Sequence, residues 1–183
     1  MEINLYKGRP DDISAREERE VRVYDMLDSL GISYSRADHG AAMTMEDCAE
    51  VDKILDVVMC KNLFLCNRQK TSFYLLLIPG DKPFRTKEFS AALGISRVSF
   101  ADEEYMEKFL GLHPGAVTVM GLMNDAEDDV QLVIDRDVVK SDYVGCHPCV
   151  NTSSIKVKTE DILEKFLPAV KHNPIYVDLT GQE

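Results

Sequence analysis

Lys61 and Asn62 interrupt a hydrophobic run, with Val57, Val58 and Met59 before them and Leu63, Phe64 and Leu65 after. An ammonium is costly to bury unless it meets an anion or faces a cleft. Read as a strand, the run places Lys61 with Met59 and Leu63 on one face and Asn62 with Cys60 and Phe64 on the other. Two readings stay open. One is a fixed positive charge at a pocket floor, set for a phosphate or a developing oxyanion. The other is an edge-strand lysine that reaches water and blocks aggregation. A second stretch, GLHPGAVTVMG from Gly111 to Gly121, holds three glycines in eleven residues. Its backbone can turn sharply and approach a ligand closely, or simply turn into a strand. A third stretch, Gly145 to Thr152, gathers His147, Asn151 and a hydroxyl behind a short apolar segment.

Other chemistries find less support. Cys146 and Cys149 form a C-x-x-C, but a redox pair of that kind opens a long helix, whereas Val-Asn-Thr-Ser-Ser follows here. A zinc site needs a further pair of ligands at matching spacing. There is no G-x-S-x-G elbow, no glycine-rich phosphate loop after a strand and no EF-hand spacing. His39 and His172 stand alone and fit hydrogen-bonded or surface roles. The acidic runs Asp102–Glu104 and Glu127–Asp129 fit helix starts or turns.

These residues need elements to hold them. Apolar spacing predicts a helix over Ser14–Leu30, with Val21, Tyr24, Leu27 and Leu30 on one face and Gly31 as a left-handed stop. Thr44 and Asp47 resemble a capping box at the start of a short helix. Asp56–Cys66 and Ser72–Ile78 are predicted strands, the second ended by Pro79-Gly80-Asp81. Helices are predicted over Lys87–Leu93 and Asp102–Leu110. Short strands are expected at Ala116–Met120, Val130–Ile134, Tyr143–Gly145 and Ser154–Val157. Thr159 is expected to cap a last helix ending before Pro168, and Ile175–Leu179 to close the fold as a strand.

The 183 residues suit one domain, 1–183, with a core over about 16–170. Apolar residues at 45% and charged residues at 29% describe a globular chain. No apolar run is long enough to span a bilayer, and no basic-then-apolar leader opens the sequence; a cytoplasmic protein with free thiols is expected. A net charge of -11 argues against non-specific binding to long duplex DNA, while leaving room for a local basic patch.

Taken together, the segments resemble the YbaK/ProX family of aminoacyl-tRNA editing domains, nearest its alanyl-tRNA(Pro) deacylase branch. The resemblance runs from near Val21 to about Phe166. It rests on Leu30-Gly31-Ile32, His39 with Thr44, Lys61-Asn62-Leu63-Phe64-Leu65 and Ser99-Phe100-Ala101 before Glu103-Glu104. It continues through Gly115-x-Val117-Thr118-x-x-Gly121-Leu122, Asn124-Asp125, and His147-Pro148 with Asn151-Thr152. It implies a mixed α/β (α+β) fold with a largely antiparallel, barrel-like sheet and surrounding helices. The implied activity is hydrolysis of a mischarged tRNA(Pro) ester by water, with alanine ahead of cysteine as the amino acid removed. Lys61 and Gly115 are implied as catalytic, and Thr44, Asn62, Val117, Gly121, His147 and Asn151 as substrate contacts. No metal or organic cofactor is implied. The implied partners are the acceptor end of an aminoacylated tRNA and a prolyl-tRNA synthetase, with neither membrane nor DNA. A non-catalytic module binding tRNA or a synthetase is the alternative. One departure stands out: the family loop often reads Gly-x-x-x-Pro, and here Val119 follows Gly115 by four residues, restoring an N–H.

Overall fold

The computed structural model describes residues 1–41 and 44–182. Two sheets face each other across the main core. The first is antiparallel throughout, in the order β1 (Asn4–Lys7), β2 (Tyr34–Asp38), β8 (Ser153–Lys158), β7 (Tyr143–Cys146). The second runs β5 (Ser99–Phe100), β3 (Cys60–Cys66), β4 (Phe73–Pro79), β6 (Val130–Asp135), β9 (Ile175–Val177). In it β3 pairs antiparallel with β4 and β5, while β4, β6 and β9 are parallel. The sheets do not close into a barrel. A bridge between Met59 and Gly145 joins them at one corner.

Strand alternation sorts the side chains into layers. Phe64, Leu75, Leu77, Leu132 and Ile134 of the second sheet meet Val144, Ile155 and Val157 of the first, together with Val23, Tyr24 and Leu27 of α1 (Glu18–Ser29). On the far face of the second sheet, Leu65, Leu76, Ile78 and Val133 pack under Phe89 of α3 (Thr86–Leu93) and under Val177 and Leu179. The outer face of the first sheet is covered more thinly. There Val51 and Leu55 of α2 (Met45–Leu55) sit on Ala37.

Several sequence expectations are met within a residue or two. Gly31 takes φ +68° just beyond α1. The Thr44 hydroxyl accepts the Asp47 N–H at 3.1 Å while the Asp47 carboxylate accepts the Thr44 N–H at 2.8 Å, a full capping box on α2. α4 (Glu103–Leu110) follows Asp102. Others need correction. Ala116–Met120 is not a strand: a 3-10 helix runs over Val119–Asn124. Asp56 is the left-handed cap of α2, not the start of β3. The last helix continues through Pro168 to Ala169, with a π-turn over Ile162–Phe166. Pro168 falls where that wide turn ends, so its missing N–H breaks no regular ladder. Strands β1 and β2 have no counterpart among the expected elements.

Candidate active site

The corner where the sheets touch opens into a cavity of about 630 Å³. β3 brings Cys60 and Lys61 to it, α2 brings Cys48, Ala49, Val51 and Asp52, and the turn after β4 brings Gly80 and Asp81. The glycine loop contributes Gly115, the loop after β7 contributes His147 and Asn151, and β8 contributes Ser154. Four of the eight residues singled out from sequence thus converge: Lys61, Gly115, His147 and Asn151.

Lys61 is half-buried on a stretch of β3 that has β4 on one side only, because β5 reaches no further than Leu65 and Cys66. Its ammonium donates to the Lys82 carbonyl. That carbonyl is itself fixed, since the Lys82 ammonium bonds Asp135 at 2.7 Å, Asp137 at 2.6 Å and the Leu179 carbonyl at 2.6 Å. No carboxylate among the described residues pairs with Lys61. It lines the cavity as a positive charge outside any ion pair among the described residues, held by a neutral acceptor.

Gly115 is exposed and takes φ +86°, a conformation that disfavours any side chain. A Cβ there would lie 3.6 Å from Asn151 Nδ2, so the two loops meet at this point. At Gly80 the fit is tighter: a Cβ would come within 2.4 Å of the Met59 carbonyl oxygen.

His147 turns Nδ1 toward the Ser153 carbonyl at 2.9 Å. That contact makes Nδ1 the protonated nitrogen of the neutral ring and leaves Nε2 as an acceptor. Burial, with His39 adding to it, holds the ring below the ordinary histidine pKa against the pull of the Ser153 carbonyl. His39 places Nε2 2.8 Å from Ser154 Oγ and Nδ1 3.1 Å from the Gly40 carbonyl, so the Ser154 hydroxyl donates to it. The two imidazoles lie edge to face, 6.4 Å apart. Beneath them Asp38 accepts from Arg16 at 2.8 Å and from Ser153 at 2.6 Å, clamping the ends of β2 and β8. Burial works against the Asp38 anion, yet the bonds from Arg16, Ser153 and Arg36 bring its pKa down to about 2.

The other four sequence candidates do not line this cavity. Asn62 points into the main core side of β3, where its Oδ1 accepts the Val119 N–H at 2.9 Å. Val117 packs against the main core. Gly121 lets the 3-10 helix lie against the end of α4 and the residues after it, since a Cβ would meet Leu112 Cδ1 at 2.7 Å and Leu110 Cβ at 3.2 Å. Thr44 is spent on the α2 cap. Conversely, Asp52, Gly80 and Ser154 line the cavity without having been singled out. For Ser154 the signal lies in alternation, because Ile155 and Val157 face the core and so turn Ser154 to the other side.

The thiols around the site are not poised for redox work. Cys146 and Cys149 are free and buried. Burial pushes the Cys149 thiol up to about 12 and raises Cys146 as well, so neither offers a thiolate at neutral pH. Asp125, Asp128 and His172 form the one group of potential metal ligands found among the described residues, and none of them lines the cavity. His172 is buried and already engaged at both ring nitrogens, by Asp125 at 2.9 Å and the Val170 carbonyl at 2.7 Å.

Residues 39–165 match the family model described as an aminoacyl-tRNA editing domain. The chain belongs to this family. The matched span starts at His39 and includes every cavity residue named above. Among relatives of the editing domain, the prolyl-tRNA editing protein ProX of Acetoanaerobium sticklandii is 33% identical over 78% of this chain and 87% of its own. The prolyl-tRNA synthetase associated domain-containing protein 1 of Danio rerio is 28% identical over 89% of this chain and 86% of its own. A solved structure described as a candidate trans-editing enzyme for prolyl tRNA synthetase superposes with a TM-score of 0.66 at 13% identity, covering 90% of this chain and 99% of that one. That likeness shows the fold of the editing domain. No helix among the described residues is long and apolar enough to cross a membrane.

Proposed function

We propose that this editing domain acts in trans as a deacylase of mischarged tRNA(Pro), with alanine ahead of cysteine as the amino acid removed. The carrying observation is the Lys61 ammonium, fixed by the Lys82 carbonyl and open to the same cavity as Gly115. The names of the ProX relative and of the synthetase-associated relative support the choice of tRNA. An aminoacyl ester is already activated, so positioning and electrostatics suffice without a protein nucleophile. Lys61 holds the terminal phosphate or polarises the ester carbonyl. Gly115 shapes the backbone around the ester, and His147 and Asn151 orient the substrate or the attacking water. Ala41, Ala49 and Val51 give the cavity an apolar part of its wall, against which a small side chain can sit. Selectivity must come from exclusion, because one methylene gains only about 1–3 kcal/mol of discrimination.

The test is deacylation of labelled Ala-, Cys- and Pro-tRNA(Pro) by the purified chain, with Lys61→Ala beside it. Fast loss of the alanyl ester, a spared prolyl ester and a dead variant are expected. Loss of the cysteinyl ester instead keeps the mechanism and changes the amino acid. Folded protein that hydrolyses none of the three sinks the enzyme reading and leaves a module that binds tRNA or a synthetase, which the net charge of -11 makes the weaker partner for a long duplex.

A further inference from the structure

The cavity carries a second charged side chain that joins no ion pair among the described residues. Asp52 lies four residues after Cys48 and three after Ala49 on α2, a spacing that turns all three to the same side. Its Oδ1 is buried and has no hydrogen-bond partner among the described residues. No lysine, arginine or histidine among them pairs with it. A carboxylate oxygen buried without a partner, on a half-buried side chain, is costly in the free protein and stays so until a donor or cation arrives. Consistent with that, burial raises the Asp52 pKa more than the nearby Met59 N–H lowers it.

We propose that Asp52 is the counterion for the α-ammonium group of the aminoacyl ester. This rests on the deacylase reading above. The end of an aminoacyl-tRNA is dipolar, with an ammonium one carbon from the ester carbonyl and a phosphate beyond the ribose. The cavity is dipolar in the complementary sense, with Lys61 and Asp52 both lining it and neither in an ion pair among the described residues. Holding the ammonium fixes the α-carbon, so the side chain can be directed at the Ala49 and Val51 wall of the helix that carries Asp52. Asp52 is therefore a specificity determinant that requires a free amino group. Asp81 also lines the cavity but is exposed, so it stays hydrated and has less to gain from a cation.

The experiment compares alanyl-tRNA(Pro) with lactyl-tRNA(Pro), which keeps the ester and the methyl and replaces the ammonium by a hydroxyl. Wild type is expected to favour the alanyl ester in kcat/KM by about 10- to 100-fold, the range of a charge-assisted hydrogen bond. Asp52→Asn should lose that factor on the alanyl ester, keep the lactyl rate and so erase the preference, while Asp81→Asn keeps it. A wild type indifferent to the two esters overturns the proposal without any variant. So does an Asp52→Asn protein of unchanged thermal midpoint that loses equally on both. If wild type hydrolyses neither ester, the deacylase reading fails by itself, and a binding titration with 3'-alanylamido-adenosine decides Asp52. Affinity at least 10-fold weaker in Asp52→Asn upholds the counterion, and equal affinity ends it.

Discussion

The side chain of Asn62 accepts the backbone N–H of Val119 at 2.9 Å, tying the central strand β3 to the start of the 3-10 helix. Where the editing family often carries a proline, this chain has a donor, and the donor is used. Asn62 thus holds the segment that leads out of Gly115. Asn62→Ala leaves the Val119 N–H unpaired in a buried setting and should lower stability by about 1–3 kcal/mol. Val119→Pro removes the donor from the other side and should cost a similar amount. Thermal or urea unfolding of the two variants and their double mutant checks this: the double should cost clearly less than the sum.

Gly115→Ala tests the loop itself. At φ +86° the new methyl strains the backbone, although its nearest neighbour, Asn151 Nδ2, lies at an unstrained 3.6 Å. The loss should therefore come from loop geometry, with stability lower by about 1 kcal/mol. The drop in deacylation rate should exceed anything that fraction of unfolded protein explains. Unfolding midpoints and single-turnover rates on one preparation separate the two effects.

His147 sets a pH expectation. Its folded pKa lies below the unfolded value of 6.5, so the folded state binds fewer protons between the two. The contribution of this residue is intact above pH 6.5 and is lost as pH falls toward the depressed folded value. The neutral ring also keeps Nε2 as an acceptor across the neutral range. Deacylation should show no acid limb from His147 above pH 6.5, and the thermal midpoint of wild type relative to His147→Asn should fall below it. A rate profile and melting curves from pH 5 to 8 supply both readouts.

Alkylation should report on the cavity wall. Cys48 is exposed on α2 and faces the cavity, whereas Cys146 and Cys149 are buried. Burial and the neighbouring Asp52 and Asp47 raise the Cys48 pKa, so its reaction with iodoacetamide should accelerate with rising pH. Modification at that one site, located by peptide mass, should block deacylation, and Cys48→Ser should be active and resistant. Cys146 and Cys149 should react only on unfolding.

Where local chemistry alone decides structure, the sequence was legible. The capping box of Thr44 and Asp47, the stop at Gly31 and the alternation through Lys61 and Asn62 all follow from short-range rules. The 3-10 helix at Val119 was not, because Ala-Val-Thr-Val-Met has strand-like residues. It is held by donors finding side-chain acceptors, Val119 on Asn62 and Met120 on Thr118, and one of these lies 57 residues away. Strand β2 was hidden because Arg36 faces inward and is buried, paired with Asp38 and stacked on Tyr6. Among site residues, Lys61, Gly115, His147 and Asn151 carried chemical type or backbone signals. Asp52 and Ser154 did not, since their meaning comes from the cavity that distant segments build.

The thin seat of α2 on the first sheet has a consequence for how such a protein can change. The helix proposed to meet the amino acid seats mainly through Val51 and Leu55 in a small cluster with Ala37, Ile3 and Val57, while the strand bearing Lys61 is anchored in both large cores. Gauge and anvil are mounted separately. Small residues along α2 can be exchanged, or the helix re-seated by a methyl group, without disturbing the beam that holds the charge. On the proposed deacylase reading, lineages of this domain would have room to retune which amino acid they reject while Lys61 stays in register.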